Sequence, residues 1–283
     1  VLLTSMASKI AAQTSLFSSA SAGSGTLTLA GKSDGSALPA ITLSLVTNRP
    51  ETFEGTFGTH QSAAPAPSVT GSETASAPAG SEFKVNTYTS GNQGDPAITN
   101  LSNGGFVVTW TNESSQDGDG YGVFGQMYNA SGNTVGAEFQ VNTHTSSNQR
   151  HPDIAGLSDG GFVVTWHSRH QDGDDQGIFG QRFDASGNKS GAEFQVNTHT
   201  TSFQQYSAVT SLTDGGFVVT WHDDSGHDGS DYGVFGQRYS SSGSATGSQF
   251  QINSTTASDQ AYPSISSLSG GGFVATWTDY SGE

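Results

Sequence analysis

The residues best able to do chemistry are carboxylates that return at a fixed place. Asp117-Gly118-Asp119-Gly120-Tyr121-Gly122, Asp172-Gly173-Asp174-Asp175-Gln176-Gly177 and Asp228-Gly229-Ser230-Asp231-Tyr232-Gly233 all fit Asp-x-[Asp/Ser]-x-x-Gly. That is the first half of an oxygen-ligand calcium loop, in which side chains at positions one and three and a carbonyl at five converge on the ion. Asp117, Asp119, Asp172, Asp174, Asp228 and Asp231 are therefore the candidate metal ligands, and calcium is the candidate cofactor. Position twelve, where a helix-loop-helix site places Glu, holds Tyr128, Phe183 and Tyr239, which excludes a full EF-hand. The competing reading is a solvated turn, since Asp and Gly favour turns without any ion.

Histidine is the second candidate. His167 and His222 directly follow a Trp, His144 and His199 follow Val-Asn-Thr, and His151, His170 and His227 lie nearby. Such residues beside Asp suit a transition-metal site. The corresponding residues in other repeats are Thr111, Thr278, Tyr88 and Thr255, and that variability favours surface decoration. For catalysis, no acid stands apart from its repeat copies, although a glycosidase needs two carboxylates ~5–10 Å apart. The Ser-x-Asp-x-Gly-x-x-Trp box is absent too. The expectation is that the chain is not an enzyme.

The elements that must position these residues are set by repetition. Gly104-Gly105-Phe106-Val107-Val108-Thr109-Trp110 returns at Gly160–Trp166, at Gly215–Trp221 and, with Ala275 in place of Val, at Gly271–Trp277. The four tryptophans, the only ones in the chain, are 56, 55 and 56 residues apart. A period of that size marks a propeller, solenoid or array. The repeats run 80–135, 136–190, 191–246 and 247–283, the last incomplete. Each reads as four short strands. In the first, these are Phe83–Thr87, Pro96–Leu101, the Trp strand and Tyr121–Asn129.

Alternation along the Trp strand puts Phe106, Val108 and Trp110 on one face and Val107 and Thr109 on the other. Both faces are largely apolar, as in a strand buried between two layers. Four antiparallel strands per repeat match a propeller blade better than a solenoid rung or a sandwich. The fold class expected is all-β, a β-propeller-like array of four-stranded repeats preceded by a non-repeat N-terminal segment, 1–79. In that segment Met6, Ile10 and Phe17 suggest a short helix over 4–18, Thr26–Ala30 and Ile41–Thr47 alternate like strands, and 51–79 reads as a linker.

The formal net charge is -16, and residues 80–283 carry 21 acids against 6 bases. Such a surface repels nucleic-acid phosphates and anionic lipid and attracts cations. There is no cysteine, and no apolar run reaches the ~18–20 residues of a membrane helix. Neither nucleic acid nor membrane insertion is expected. Beginning on Val1 and stopping inside a repeat, the chain reads as a fragment or a processed piece.

The ordered set Glu-Phe-Gln-Val-Asn-Thr, Asp-Gly-Gly-Phe-Val-Val-Thr-Trp, Val-Phe-Gly-Gln-Arg-Tyr and Ala-Ser-Gly-Asn resembles tandem blocks of large secreted or surface-attached bacterial proteins, the hemolysin-type calcium-binding or adhesin-like kind. The resemblance covers 80–283. It implies an extracellular location, export without an N-terminal signal, and a structural or adhesive role. The glycine-rich nonapeptide that binds calcium in those proteins is missing here, so their calcium sites do not carry over.

Together these readings describe a non-enzymatic extracellular repeat protein: a surface scaffold, adhesin or assembly subunit, with calcium as the stabilising ion. Its partners would be copies of itself, joined by strand donation into an oligomer or filament, or a surface glycan. The alternative is a carbohydrate-binding propeller, with ligand near Tyr121, Tyr232 and the Asp loops, or a module of a polysaccharide-active enzyme.

Overall fold

A computed structural model of the chain describes residues 17–23, 26–31 and 82–282. Contacts divide the chain into two units, 1–79 with 283, and 80–282. In the first, β1 (Phe17–Gly23) and β2 (Thr26–Gly31) pair antiparallel. The strand expected at Thr26–Ala30 is there. The helix expected over 4–18 is met by β1 at Phe17 and Ser18, the start of a strand that pairs with β2. Its remainder, Ile41–Thr47 and the 51–79 linker lie outside the described residues.

The second unit is all-β, a β-propeller-like array of antiparallel sheets, three of them four-stranded. Sheet one is β3 (Gln93–Asn100), β4 (Phe106–Asn112), β5 (Gly122–Tyr128) and β6 (Thr134–Gln140), in that spatial order. Sheet two is β7 (Gln149–Gly156), β8 (Phe162–Arg169), β9 (Gln176–Phe183) and the short β10 (Phe194–Gln195). Sheet three is β11 (Gln204–Ser211), β12 (Phe217–Asp223), β13 (Gly233–Tyr239) and β14 (Ala245–Gln251). β15 (Gln260–Ser267) and β16 (Phe273–Asp279) form a pair, with no third strand among the described residues.

One expected strand is corrected. Phe83–Thr87 is not a strand. Its counterparts Phe139–Thr143 and Phe194–Thr198 begin at the outer edge of a sheet that precedes them, pairing with β5 and β9. The first copy has no such sheet beside it among the described residues. It packs instead on sheet one, where the Tyr128 hydroxyl donates to the Val85 carbonyl at 3.3 Å.

The motifs have separate jobs. Gly104, Gly160, Gly215 and Gly271 take φ of 84–92°, the left-handed turn that joins the first two strands of each sheet. In the Phe-Gly-Gln motif, a Cβ on Gly125, Gly180 or Gly236 would lie 2.7–2.9 Å from the ring of Phe139, Phe194 or Phe250. The missing side chain lets the outer strand's ring rest on the sheet.

The core lies between sheets. Trp166, Phe162 and Val164 face sheet one, packing with Val107, Val123, Met127 and Val141. Val163, Ile178 and Val196 face the other way, against Trp221, Phe217 and Val219 of sheet three. This is the alternation expected of strands buried on both faces. Fully burying each such side chain is worth roughly 1.5–3 kcal/mol.

The Asn of Val-Asn-Thr fastens one sheet to the next. Asn142 accepts from Val123 N at 2.9 Å and donates to Asp117 Oδ2 at 2.8 Å, His144 O at 2.9 Å and Gln149 Oε1 at 3.2 Å. Asn197 and Asn253 repeat the arrangement with Asp172 and Gln204, and with Asp228 and Gln260.

Candidate functional site

The first strands of successive sheets, β3, β7, β11 and β15, lie side by side. Each carries a β-bulge at the same place, between Gly94 and Ala97, Arg150 and Asp153, Gln205 and Ala208, and Ala261 and Ser264. The bulge holds Asp95, His151, Tyr206 and Tyr262 at φ of 49°, 53°, 50° and 56°. A non-glycine residue in that region costs on the order of 1–3 kcal/mol, and such strain clusters where function needs a side chain aimed in an unusual direction. Bulges re-aim side chains in the same way.

These four residues touch in chain order. His151 Nδ1 lies 3.2 Å from Asp95 Oδ1. The His151 and Tyr206 rings are 4.7 Å apart, and Tyr206 and Tyr262 are 5.0 Å apart, edge to face. Behind them stand the residues after each Trp. His167 is 5.8 Å from Tyr206, and His222 is 5.2 Å from Tyr206 and 5.3 Å from Tyr232, centroid to centroid. Thr111 Oγ1 donates to Asp95 Oδ2 at 3.1 Å and accepts from His151 N at 3.1 Å. The result is a ladder of two rows: strained bulge residues in front, and Thr111, His167 and His222 supporting them.

The ladder's imidazoles are neutral. Burial holds the His167 pKa well below the usual histidine range, and the nearby His151, Arg150 and His222 push the same way. His222 is lowered to about 4 by burial, against the opposing pull of Asp224. His151 is lowered too, because burial outweighs the attraction of Asp95. At pH 7 the Asp95–His151 contact is thus one between a carboxylate and a neutral ring rather than an ion pair. Arg150 Nε donates to His167 Nε2 at 3.1 Å, and Tyr262 N donates to His222 Nδ1 at 3.2 Å, so the two rings present opposite tautomers. His167 and His222 are buried, 1% and 2% exposed, which corrects the expectation that they decorate the surface. Their rings are small and flat enough to pack beneath Tyr206.

The acidic loops are tied to the segment that follows each sheet, while Asp117 Oδ1 is buried without a hydrogen-bond partner. Asp117, Asp172 and Asp228 each accept from the Asn of the following Val-Asn-Thr. Asp119 Oδ2 accepts from Ser147 N and Asp174 Oδ2 from Ser202 N, at 2.9 and 3.0 Å. The Asp231 carbonyl accepts from Gly226 N at 3.2 Å. Burial raises the Asp117 pKa, against the hydrogen bond from Asn142. Among the described residues, the grouping that brings three carboxylate or imidazole ligand atoms within 4.8 Å of one another is His199, Asp223 and His227, outside the six aspartates.

Sequence reasoning missed Asp95, Tyr206 and Tyr262. Their signal was a position that changes type, Asp, His, Tyr, Tyr, inside an otherwise constant frame and before Pro in three of four repeats.

No protein-family model matches this chain, nor does any curated protein. Solved structures similar to it include an endo-arabinase from Bacteroides thetaiotaomicron, at 14% identity over 69% of this chain and 74% of that one, TM-score 0.44. The GH93 α-L-arabinofuranosidase of Fusarium graminearum with arabinobiose is 10% identical over 65% and 56%, TM-score 0.47. The α-L-arabinanase of Penicillium chrysogenum with arabinobiose is 14% identical over 65% and 52%, TM-score 0.46. This chain spans just over half the length of the latter two. The likeness is one of fold. The expectation that the chain is not an enzyme is corrected by this finding, since the similar structures are an endo-arabinase, an arabinofuranosidase and an arabinanase.

Proposed function

We propose that the chain is a carbohydrate-active propeller module that binds a neutral polysaccharide at the bulge ladder. The observation that carries this reading is the run Asp95, His151, Tyr206 and Tyr262, four side chains on strained backbone brought into contact from four repeats. Sugar rings offer apolar C–H faces and many hydroxyls. Tyr206 and Tyr262 supply aromatic faces with polar tips, and the half-buried His151 and Asp95 supply donors and acceptors. The net charge of -16 disfavours a phosphorylated or sulfated ligand. Calcium at the Asp-Gly loops, an extracellular location and self-association through the β16 edge accompany this reading as proposals resting on the sequence.

The test is retention of the tag-free chain on a panel of neutral polysaccharides that includes arabinan, with released reducing sugar measured in parallel. Tyr206→Gly, which relieves the left-handed strain while removing the ring, and Tyr262→Ala should each weaken binding at least tenfold. A chain that no polysaccharide retains, or variants that bind like the parent, would overturn the reading.

A further inference from the structure

The two carboxyl oxygens of Asp223 have different surroundings. The residue is fully buried at the end of β12. Its Oδ1 accepts from Ser225 N at 2.9 Å and from the Ser225 hydroxyl. Its Oδ2 has no hydrogen-bond partner. The nearest cationic candidate is His227 Nδ1, 4.0 Å away. The His199 ring stacks on His227 at 4.2 Å between centroids, and Phe235 backs His227 at 4.8 Å. One ligand atom from each of His199, Asp223 and His227 lies within 4.8 Å of the others.

The other repeats show what this place looks like without ligands. In repeat one the equivalents are Tyr88, Asn112 and Gln116, and in repeat two His144, Ser168 and Gln171. Asn112 Nδ2 stands where Asp223 Oδ2 does, and it donates to Gln93 Oε1 at 2.9 Å and Gln116 Oε1 at 2.7 Å. Gln116 Nε2 donates onward to Glu138 Oε1 at 2.9 Å, and Gln171 makes the same bond to Glu193. Repeat three changes both ends of that bond. Gln becomes His227 and Glu becomes Gln249, whose Nε2 is left buried without a partner. The amide network is gone, and an acceptor has replaced a donor.

We infer that His199, Asp223 and His227 form a binding site for one late first-row divalent cation, of the zinc class. Two imidazoles and one carboxylate are a ligand set for such ions, which hold three protein ligands and leave a fourth position to water. The buried Asp223 oxygen is then satisfied by the ion, and it is fixed in place through the Ser225 bonds to Oδ1. His199 is half-buried and His227 exposed, so both rings are free to rotate the last fraction of the distance onto the metal. Among the described residues the site occurs once, because no other repeat carries all three ligand types.

The test is calorimetric titration of the tag-free full chain with Zn2+ at pH 7.5, followed by Co2+ absorption. Saturation at one ion per chain is expected, with Co2+ giving the visible bands of four- or five-fold coordination. The double variant Asp223→Asn, His227→Gln restores the pair that repeat one uses, so it should fold, melt like the apo parent, and lose at least tenfold in affinity. His144→Thr should leave binding unchanged. Absence of saturable binding in the parent, equal binding by the double variant, or an equal affinity for Ca2+ at the same site would overturn the assignment.

Discussion

Sheet three and the β15–β16 pair carry nearly the same sequence, yet Trp221 is fully buried and Trp277 only half-buried. Gly215–Trp221 and Gly271–Trp277 differ by one residue. What differs in space is the third strand. β12 pairs along its whole length with β13, setting Trp221 opposite Phe235, and Phe217 stacks on Tyr239 at 4.7 Å and 9°. β16 has no such neighbour among the described residues, and Phe273 finds only Phe250 at 6.3 Å, tilted. The Trp strand's alternation therefore licenses burial without producing it. A large part of each tryptophan's cover comes from the next strand of its own sheet.

The largest way to test this comparison is to truncate both indoles. Trp221→Ala should destabilise the chain by about 3–5 kcal/mol through lost transfer energy and the cavity left behind. Trp277→Ala should cost well under half of that in urea denaturation, since much of its surface is already wet. Equal losses would break the comparison.

The second test uses pH, because sheet three has His222 where the pair has Thr278. The His222 pKa is depressed to about 4 in the folded chain. The neutral ring is thus the folded form, and its stability contribution is complete above about pH 6.5 and lost as pH falls towards 4. That loss amounts to about 3 kcal/mol. His167 adds in the same direction. His222→Thr should flatten the acid limb of stability against pH, and an unchanged slope between pH 6.5 and 4 would count against the buried neutral imidazole.

A smaller effect probes the fastening between the two regions. Asn253→Ala removes the bonds to Val234 N, Asp228, Thr255 O and Gln260. It should cost about 1–3 kcal/mol, because buried partners are left unpaired. Hydrogen exchange should quicken in β15 and β16 before it does in β12. Smallest of all, Asp231→Asn on the exposed loop should change stability by no more than about 0.5 kcal/mol. A larger loss in the presence of millimolar Ca2+ alone would support the ion reading of that loop.

The repeat period and the Gly-Gly-Phe-Val-Val-Thr-Trp alternation made the sheets legible, because period-two patterning and positive-φ glycines are local properties of the chain. Strand membership was less legible. Nothing within Glu-Phe-Gln-Val-Asn-Thr states that its first half closes the sheet behind and its Asn joins the sheet ahead; that follows from pairings some 20 residues away. The spacing of the aspartates is a local pattern, whereas the amide that bonds Asp117, Asp172 and Asp228 lies 25 residues on in each case. The ladder was illegible for another reason. Asp95, His151, Tyr206 and Tyr262 are not of one residue type, and only the bulge that turns all four to one place makes them a group. His199, Asp223 and His227 likewise span two loops, and none of the three stands out until they are compared with Asn112 and Gln116.

The outer strand of each sheet opens the next copy of the sequence motif, so the textual repeat and the sheet are out of phase by one strand. Anyone cutting the gene at 135 or 190 would sever β6 from its sheet's own text or strand β10 in a separate piece. Cuts just after Thr143 or Thr198 would deliver whole sheets. The same offset means that copying one motif-to-motif segment during evolution always hands a strand to a neighbour, so such an array can lengthen only by making each new member complete the one before it.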